Sequence, residues 1–269
     1  MSRAKLGQVF LKNPFIVQEI IKALDPQNEE TIIEIGPGKG VLTEALAGYD
    51  CKLIAVEVDK YLYEKLLSKF KKKLNIEFIN SDILKINVPD IIKKINPDKI
   101  KIAGNIPYYI TSPILNFLVD NKNFYKTALL MVQKEVGERI LAAPHSRKYG
   151  ALTLFIQYNM KREKIIDVPR EDFAPPPEVD SMVIRLSPLL LPGIKVEDES
   201  LFFKIIHASF QKRRKMIHNA LSHLKSWGKD IDVKLVLEKA GINYSARAED
   251  LSIEDYARLC AVILDKKIN

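Results

Sequence analysis

The segment Thr31-Ile32-Ile33-Glu34-Ile35 is a β-branched run that breaks at Gly36-Pro37-Gly38-Lys39-Gly40 and resumes as a helical pattern through Val41, Leu42, Ala45 and Leu46. A strand, a glycine loop and a helix in immediate succession start a parallel sheet wrapped by helices. The following residues keep the same alternation. Leu53 to Val58, Ile76 to Ile79, Ile100 to Ala103 and Ala128 to Val132 read as strands; Tyr61 to Phe70, Ile91 to Ile95 and Gln133 to Ala142 read as helices. Asn13-Pro14 and Ser112-Pro113 each place a capping residue before a proline, which predicts two further helix starts. Lys161 to Val168 and Ser181 to Leu186 are two more strands, and Pro169 to Asp180 between them leaves no room for a crossover helix. They are expected to pair antiparallel. The fold class predicted is α/β: a Rossmann-like, mostly parallel seven-stranded sheet ending in an antiparallel strand pair.

Beyond Pro188 and Pro192-Gly193 the pattern turns helical only, at Leu201 to Phe210, Arg213 to Leu224, Val233 to Lys239 and Ile253 to Leu264. Gly241 suits a helix C-terminus, and Ser252 with Asp255 forms the aspartate version of a capping box. Two domains are expected, residues 1–190 and a small all-α domain over 191–269.

Charge narrows the partner. With 42 Lys+Arg against 34 Asp+Glu the chain carries +8, which favours a polyanion. No run approaches the roughly 20 apolar residues of a spanning helix, and Met1-Ser2-Arg3-Ala4-Lys5 leads into no signal-peptide core, so no membrane is expected and the cytoplasm is the simplest location. Cys51 and Cys260 lack thiolate-site spacing, and His145, His207, His218 and His223 lack any ligand spacing, so no metal is expected. A monomer is the expectation for oligomeric state.

The glycine loop lets backbone approach a ligand closely and offers helix N-terminal N–H groups. Val41 stands where a dinucleotide fingerprint needs its third glycine, which disfavours a nicotinamide cofactor. Read with Glu34, the spacing E-x-G-x-G-x-G over Glu34, Gly36, Gly38 and Gly40 resembles the first motif of class I methyltransferases. Glu57 ends the second of these strands, where a carboxylate can accept hydrogen bonds from both hydroxyls of a ribose. Asp82, with Ile83 beside it, follows the third, where methyltransferases commonly hold the cofactor adenine. Taken alone, such an acid is more often a cap or a solvated turn residue; the ordered series of glycine loop, Glu57 and Asp82 at successive strand ends favours the cofactor.

Asn105-Ile106-Pro107-Tyr108 follows the next strand and matches the [DN]-[ILP]-P-[YF] signature of enzymes that methylate amino nitrogens of nucleobases or glutamine. An exocyclic adenine N6 shares its lone pair with the ring, so it must be pyramidalised and aimed. The Asn105 side-chain oxygen and the Ile106 carbonyl can each accept one N–H from it. Pro107 stiffens the turn and Tyr108 supplies a ring face for a base. Phe173 opens Phe173-Ala174-Pro175-Pro176-Pro177, a stiff polyproline-like stretch expected to stay out of the sheet. Such stiffness would present Phe173 to the opposite face of a flipped adenine; otherwise Phe173 is a buried anchor of an interstrand loop.

With these motifs in order, the chain resembles the KsgA (RsmA) family of ribosomal RNA small-subunit adenine dimethyltransferases. The resemblance takes in Gly7-Gln8-Val9-Phe10-Leu11, the Glu34 to Gly40 loop, Glu57, Asp82, Asn105 to Tyr108, Phe173 to Ser181 and Phe210-Gln211-Lys212-Arg213-Arg214-Lys215 with Asn219 and Leu221. It implies S-adenosylmethionine as methyl donor, held by Gln8, Val9, Leu11, Glu34, Gly36, Gly38, Gly40, Glu57, Asp82, Ile83 and Asn105. It implies as substrate two adjacent adenosines in a hairpin near the 3′ end of 16S rRNA, on an immature small ribosomal subunit. Many bacterial members carry asparagine where this chain has Val9, so any polar contact there must come from backbone. Lys212, Arg213, Arg214 and Lys215 suit phosphates, since cations at a helix start oppose its dipole and call for a partner. The motifs alone leave open a 23S rRNA or DNA adenine methyltransferase, and a ribosome-assembly or transcription factor that keeps the fold without transferring methyl groups.

Overall fold

The computed structural model describes residues 9–92, 95–211, 215–221 and 232–268. The chain forms two compact units, Met1–Gly137 with Met160–Leu190, and Glu138–Asn159 with Leu191–Asn269. A single cut after residue 190 therefore misses one piece. Glu138–Asn159 joins the C-terminal unit because Tyr149, Leu154 and Tyr158 pack into its core with Phe202, Ile205 and Tyr256.

In the first unit, β1 (Phe10–Leu11) leads into α1 (Pro14–Leu24). Asn13 caps α1 by accepting from Phe15 N at 2.9 Å with proline inside the first turn, as the sequence predicts. There follow β2 (Thr31–Ile35), α2 (Val41–Leu46), β3 (Lys52–Glu57), α3 (Lys60–Lys69), β4 (Ile76–Asn80), α4 (Val88–Ile92), β5 (Ile100–Asn105), α5 (Thr111–Asp120) and β6 (Thr127–Gln133), then α6 (Lys134–Leu141), which belongs to the second unit from Glu138 onward. The second unit takes α7 (Ala151–Asn159), after which β7 (Met160–Val168), β8 (Phe173–Ala174) and β9 (Ser181–Pro188) belong to the first. The main sheet runs β4-β3-β2-β5-β6-β9-β7. Its first five strands are parallel, while β9 pairs antiparallel with both β6 and β7. Every residue of β2 is buried, as a strand covered on both faces requires, and β4 at the edge is only half-covered.

Two details depart from expectation. Phe173–Ala174 does join a sheet, a two-stranded antiparallel ladder with Phe10–Leu11, because its prolines begin only at Pro175. α5 begins at Thr111 without a side-chain cap, so Ser112 lies inside it; the tight turn Tyr108–Ile110 runs directly into the helix.

Gly40 shows how tightly the glycine loop is set. It sits at φ +79°, and a Cβ there would lie 2.8 Å from Leu66 Cδ2 and 2.9 Å from Phe70 Cε2. The position therefore serves the seating of α2 against α3. Gly40→Ala is expected to destabilise the protein by about 2 kcal/mol, from the left-handed backbone and the overlap together, measured as a lower urea midpoint.

In the second unit, α8 (Glu199–Gln211), α9 (Ile217–Leu221), α10 (Val233–Lys239) and α11 (Ile253–Ile268) pack with α7 around Phe202, Leu237, Tyr256 and Leu259. Ser252 and Asp255 form the expected capping box, Ser252 N donating to Asp255 Oδ2 at 2.7 Å and Asp255 N to Ser252 Oγ at 3.2 Å. A left-handed glycine ends α10, as the sequence predicts. Gly241 takes φ +68° and Ile242 N donates to Leu237 O at 2.9 Å, closing the helix.

Candidate active site

Parallel strands present their carboxyl ends along one edge, and the strand order diverges between β2 and β5, which neighbour each other while β3 lies on the far side of β2. Ligands of open α/β sheets bind at such a point. A cavity opens there, with Gly36 and Gly38 after β2, Glu57 at the end of β3, Asp82 after β4 and Asn105 at the end of β5 on its wall.

The loop after β2 is built from its own hydrogen bonds. Gly36 N donates to Val56 O at 2.9 Å and Gly40 N to Pro37 O at 2.8 Å, with Gly36 and Gly38 at φ +66° and +59°. Glu57 ties this loop to its own strand end: Oε2 accepts from Gly38 N at 3.0 Å and Oε1 from Asp59 N at 2.9 Å. Burial pushes the Glu57 carboxyl up, against the lowering effect of these donors. Each oxygen retains a lone pair, so the carboxylate can still accept two hydroxyls.

Glu34 lies deeper, on β2, almost wholly buried, and its Oε2 accepts from Thr43 Oγ1 at 2.7 Å. Burial raises its pKa to about 7, with Thr43 opposing. A carboxyl with a raised folded-state pKa keeps its proton in the native protein where the unfolded chain has lost it. Its contribution to stability therefore falls as pH rises from about 4.5 to about 7 and is flat above. Glu34→Gln retains an acceptor for Thr43 and removes the titration. The fall in unfolding free energy between pH 5 and pH 8 is expected to be about 3 kcal/mol smaller in this variant than in the parent, by urea denaturation.

Asp82 is both a cap and a wall residue: its Oδ1 accepts from Leu84 N at 3.0 Å while the residue lines the cavity with buried Ile83 beside it. Asn105 is anchored from the N-terminal side, its Nδ2 donating to Val9 O at 3.2 Å. That bond fixes the amide orientation and leaves Oδ1 as the acceptor. Ile106 is buried and its N–H donates to Met131 O at 3.1 Å, holding the tetrapeptide to β6. Tyr108 shares a 2.9 Å hydrogen bond with Ser181 Oγ at the start of β9, and burial pushes its phenol up. The cavity thus combines the carboxylates of Glu57 and Asp82 with the oriented amide acceptor of Asn105. This donor set fits S-adenosylmethionine, since acids can face its hydroxyls and amino group and no fixed cation is required beside its sulfonium.

A model of the ribosomal RNA adenine dimethylase family matches residues 1–265. The chain belongs to that family. It is 39% identical over 255 residues to ribosomal RNA small subunit methyltransferase A of Clostridium acetobutylicum, covering 95% of this chain and 91% of that protein. The Macrococcus caseolyticus protein of the same name is 39% identical over 261 residues, covering 96% and 88%. Among solved structures the chain is similar to a dimethyladenosine transferase from Plasmodium falciparum, with a TM-score of 0.79 at 26% identity, covering 96% of this chain and 98% of that one. It shares its fold with the 23S rRNA methyltransferase ErmE, with a TM-score of 0.71 at 24% identity, covering 94% and 98%.

In this dimethylase-family chain, most residues expected at the cofactor meet at the cavity: Val9, Leu11, Glu34, Gly36, Gly38, Glu57, Asp82, Ile83 and Asn105 all line it, as do Ile106, Pro107 and Tyr108. Gly40 is not on that wall, for the packing reason given above. Phe173 is fully buried among Leu11, Val168 and Val183, so its ring presents no face to the cavity and anchors the β1–β8 ladder. Gln8, Lys212, Arg213 and Arg214 lie outside the described residues, and Lys215 is exposed. Among the described residues no cluster of His, Cys, Asp or Glu could hold a metal, and no helix is long and apolar enough to cross a membrane.

The structure adds wall residues that the motifs do not name. Tyr109 is 58% exposed at the cavity, and burial and then the charges of Asp82 and Glu57 push its phenol up. Gly104 approaches so closely that a Cβ would meet Ile35 O at 2.8 Å. Phe10 packs under Gly38, with Lys39 Nζ 4.4 Å above its ring. A second aromatic directly after Tyr108 is a signal present in the sequence; the roles of Gly104 and Phe10 depend on tertiary contacts.

Proposed function

We propose that the chain transfers methyl groups from S-adenosylmethionine to N6 of two adjacent adenosines in a hairpin near the 3′ end of 16S rRNA, giving N6,N6-dimethyladenosines on the immature small subunit. The observation that carries this reading is the anchored amide: Asn105 Nδ2 is committed to Val9 O, so Oδ1 is the acceptor in a cavity shared with Glu57 and Asp82. The names of the relatives supply the RNA.

In this reading Glu57 accepts the ribose hydroxyls, Asp82 and Ile83 border the adenine, and Gly36 and Gly38 let the backbone approach the amino-acid end beside Val9 and Leu11. The bound donor supplies an electrophilic methyl on a sulfonium. Asn105 Oδ1 and the Ile106 carbonyl draw the two N6 protons to one side, turning the nitrogen lone pair out of conjugation and toward the donor. Pro107 holds the turn rigid, and Tyr108, fixed by Ser181, offers its ring to the base. No strong base is needed, because the product nitrogen becomes acidic only after transfer and then loses its proton to solvent. A neutral amide also avoids a buried charge.

The test is incubation with labelled S-adenosylmethionine and undermodified small subunits, large-subunit rRNA or DNA, followed by mass analysis of the nucleosides. Dimethyladenosine in small-subunit rRNA is expected; label confined to DNA or 23S rRNA, or none with any substrate, would overturn the proposal.

A further inference from the structure

The C-terminal unit carries an aromatic pair that no part of the methyl-transfer site uses. The rings of His218 and Tyr244 lie parallel, 7° apart with centroids 3.9 Å from each other, and Tyr244 is 46% exposed. The stack is locked by backbone. His218 Nδ1 lies 2.9 Å from Tyr244 O, and since a carbonyl only accepts, Nδ1 carries the proton. Ile217 N donates to Ala246 O at 2.7 Å, and Met216 bridges antiparallel to Arg247. These bonds set the segment from Lys215 to His218 beside the segment from Tyr244 to Arg247. Lys215, Met216 and Arg247 are exposed around the stack. Neither Lys215 nor Arg247 forms an ion pair among the described residues. Asp250 accepts from Arg247 N at 2.8 Å and shares a 3.2 Å contact with His145 Nδ1.

We infer that the His218–Tyr244 stack is a ledge on which an unpaired base of the RNA substrate stacks, with Lys215 and Arg247 meeting the flanking phosphates. A phenol already held flat by a partner ring loses little entropy on taking a base, and a base–aromatic stack is sequence-tolerant. Exposed cations that form no ion pair among the described residues favour a polyanion over a protein surface. This inference rests on the rRNA substrate proposed above.

The experiment uses the full chain and a transcript of the 3′ region of small-subunit rRNA. Binding is measured by fluorescence anisotropy, with transfer of labelled methyl and S-adenosylmethionine affinity measured in parallel. Tyr244→Ala is expected to weaken transcript binding about tenfold or more, Tyr244→Phe to bind as the parent does, and both to keep the parent's S-adenosylmethionine affinity. Lys215→Ala with Arg247→Ala should flatten the salt dependence. If Tyr244→Ala binds the transcript like the parent, the ledge is refuted, including when it weakens binding only to intact subunits, which would mark a protein contact. Equal loss in Tyr244→Phe and Tyr244→Ala would also refute stacking. If the parent chain itself neither binds nor methylates the transcript or undermodified subunits, it is the substrate reading that fails.

Discussion

Asn105→Ala is expected to lower methyl transfer by roughly a thousandfold while leaving RNA binding near that of the parent, the scale seen when one preorganised polar partner of a transition state is removed. The side chain contributes one acceptor, and its orientation comes from donation to Val9 O at 3.2 Å. Alanine removes both the acceptor and the tether but no phosphate contact. Asn105→Asp separates the two effects, because a carboxylate keeps an acceptor and cannot donate to Val9 O. The two oxygens then face each other without a proton between them, so this variant is also expected to be strongly impaired. Single-turnover transfer on undermodified subunits, alongside filter binding of RNA, measures both quantities. Full activity in Asn105→Ala would remove the central element of the proposed chemistry.

Glu57→Ala is expected to weaken S-adenosylmethionine binding by about a hundredfold or more, read by calorimetric titration. Hydrogen bonds to a charged group contribute about 1.5–3 kcal/mol each, and Glu57 has more than one kind. Its oxygens hold Gly38 N and Asp59 N, so its loss frees the glycine loop as well as removing the acceptors proposed for the ribose. Glu57→Gln keeps a single acceptor oxygen and should fall between the parent and Glu57→Ala. Parent-like affinity in Glu57→Ala would reject the ribose assignment.

The outline of both units is readable in the chain where its determinants are local. β2 and its glycine loop, the Asn13-Pro14 helix start and the Ser252–Asp255 box each involve residues within a few positions. The antiparallel pairing of β7 and β9 follows from the length of the segment between them. What escapes a reading of the sequence is set by distant partners. The ladder of Phe10–Leu11 with Phe173–Ala174 is two residues long on each side, too short to leave a periodicity, and it is this ladder that buries Phe173. Gly36, Gly38 and Gly40 are alike in sequence, yet only the third faces Leu66 and Phe70. α7 is an apolar run whose allegiance to the C-terminal unit depends on which core Leu154 and Tyr158 enter.

The ladder also dictates when a growing polypeptide could become competent. Asn105 is held by a residue 96 positions before it, and the segment bearing that residue is fastened by Lys12 N to Asp172 O and by Asn13 Nδ2 to Asp172 Oδ1, across 159 positions in the latter case. A ribosome that has released only the five parallel strands has made every acid and glycine of the pocket but not the strand that pins Val9 in place. Loop closure over such a span comes late in folding. The chain should therefore acquire its oriented amide only as β8 emerges, so that a truncated product ending before Phe173 would carry the glycine loop, Glu57, Asp82 and the Asn105 tetrapeptide and yet be inert.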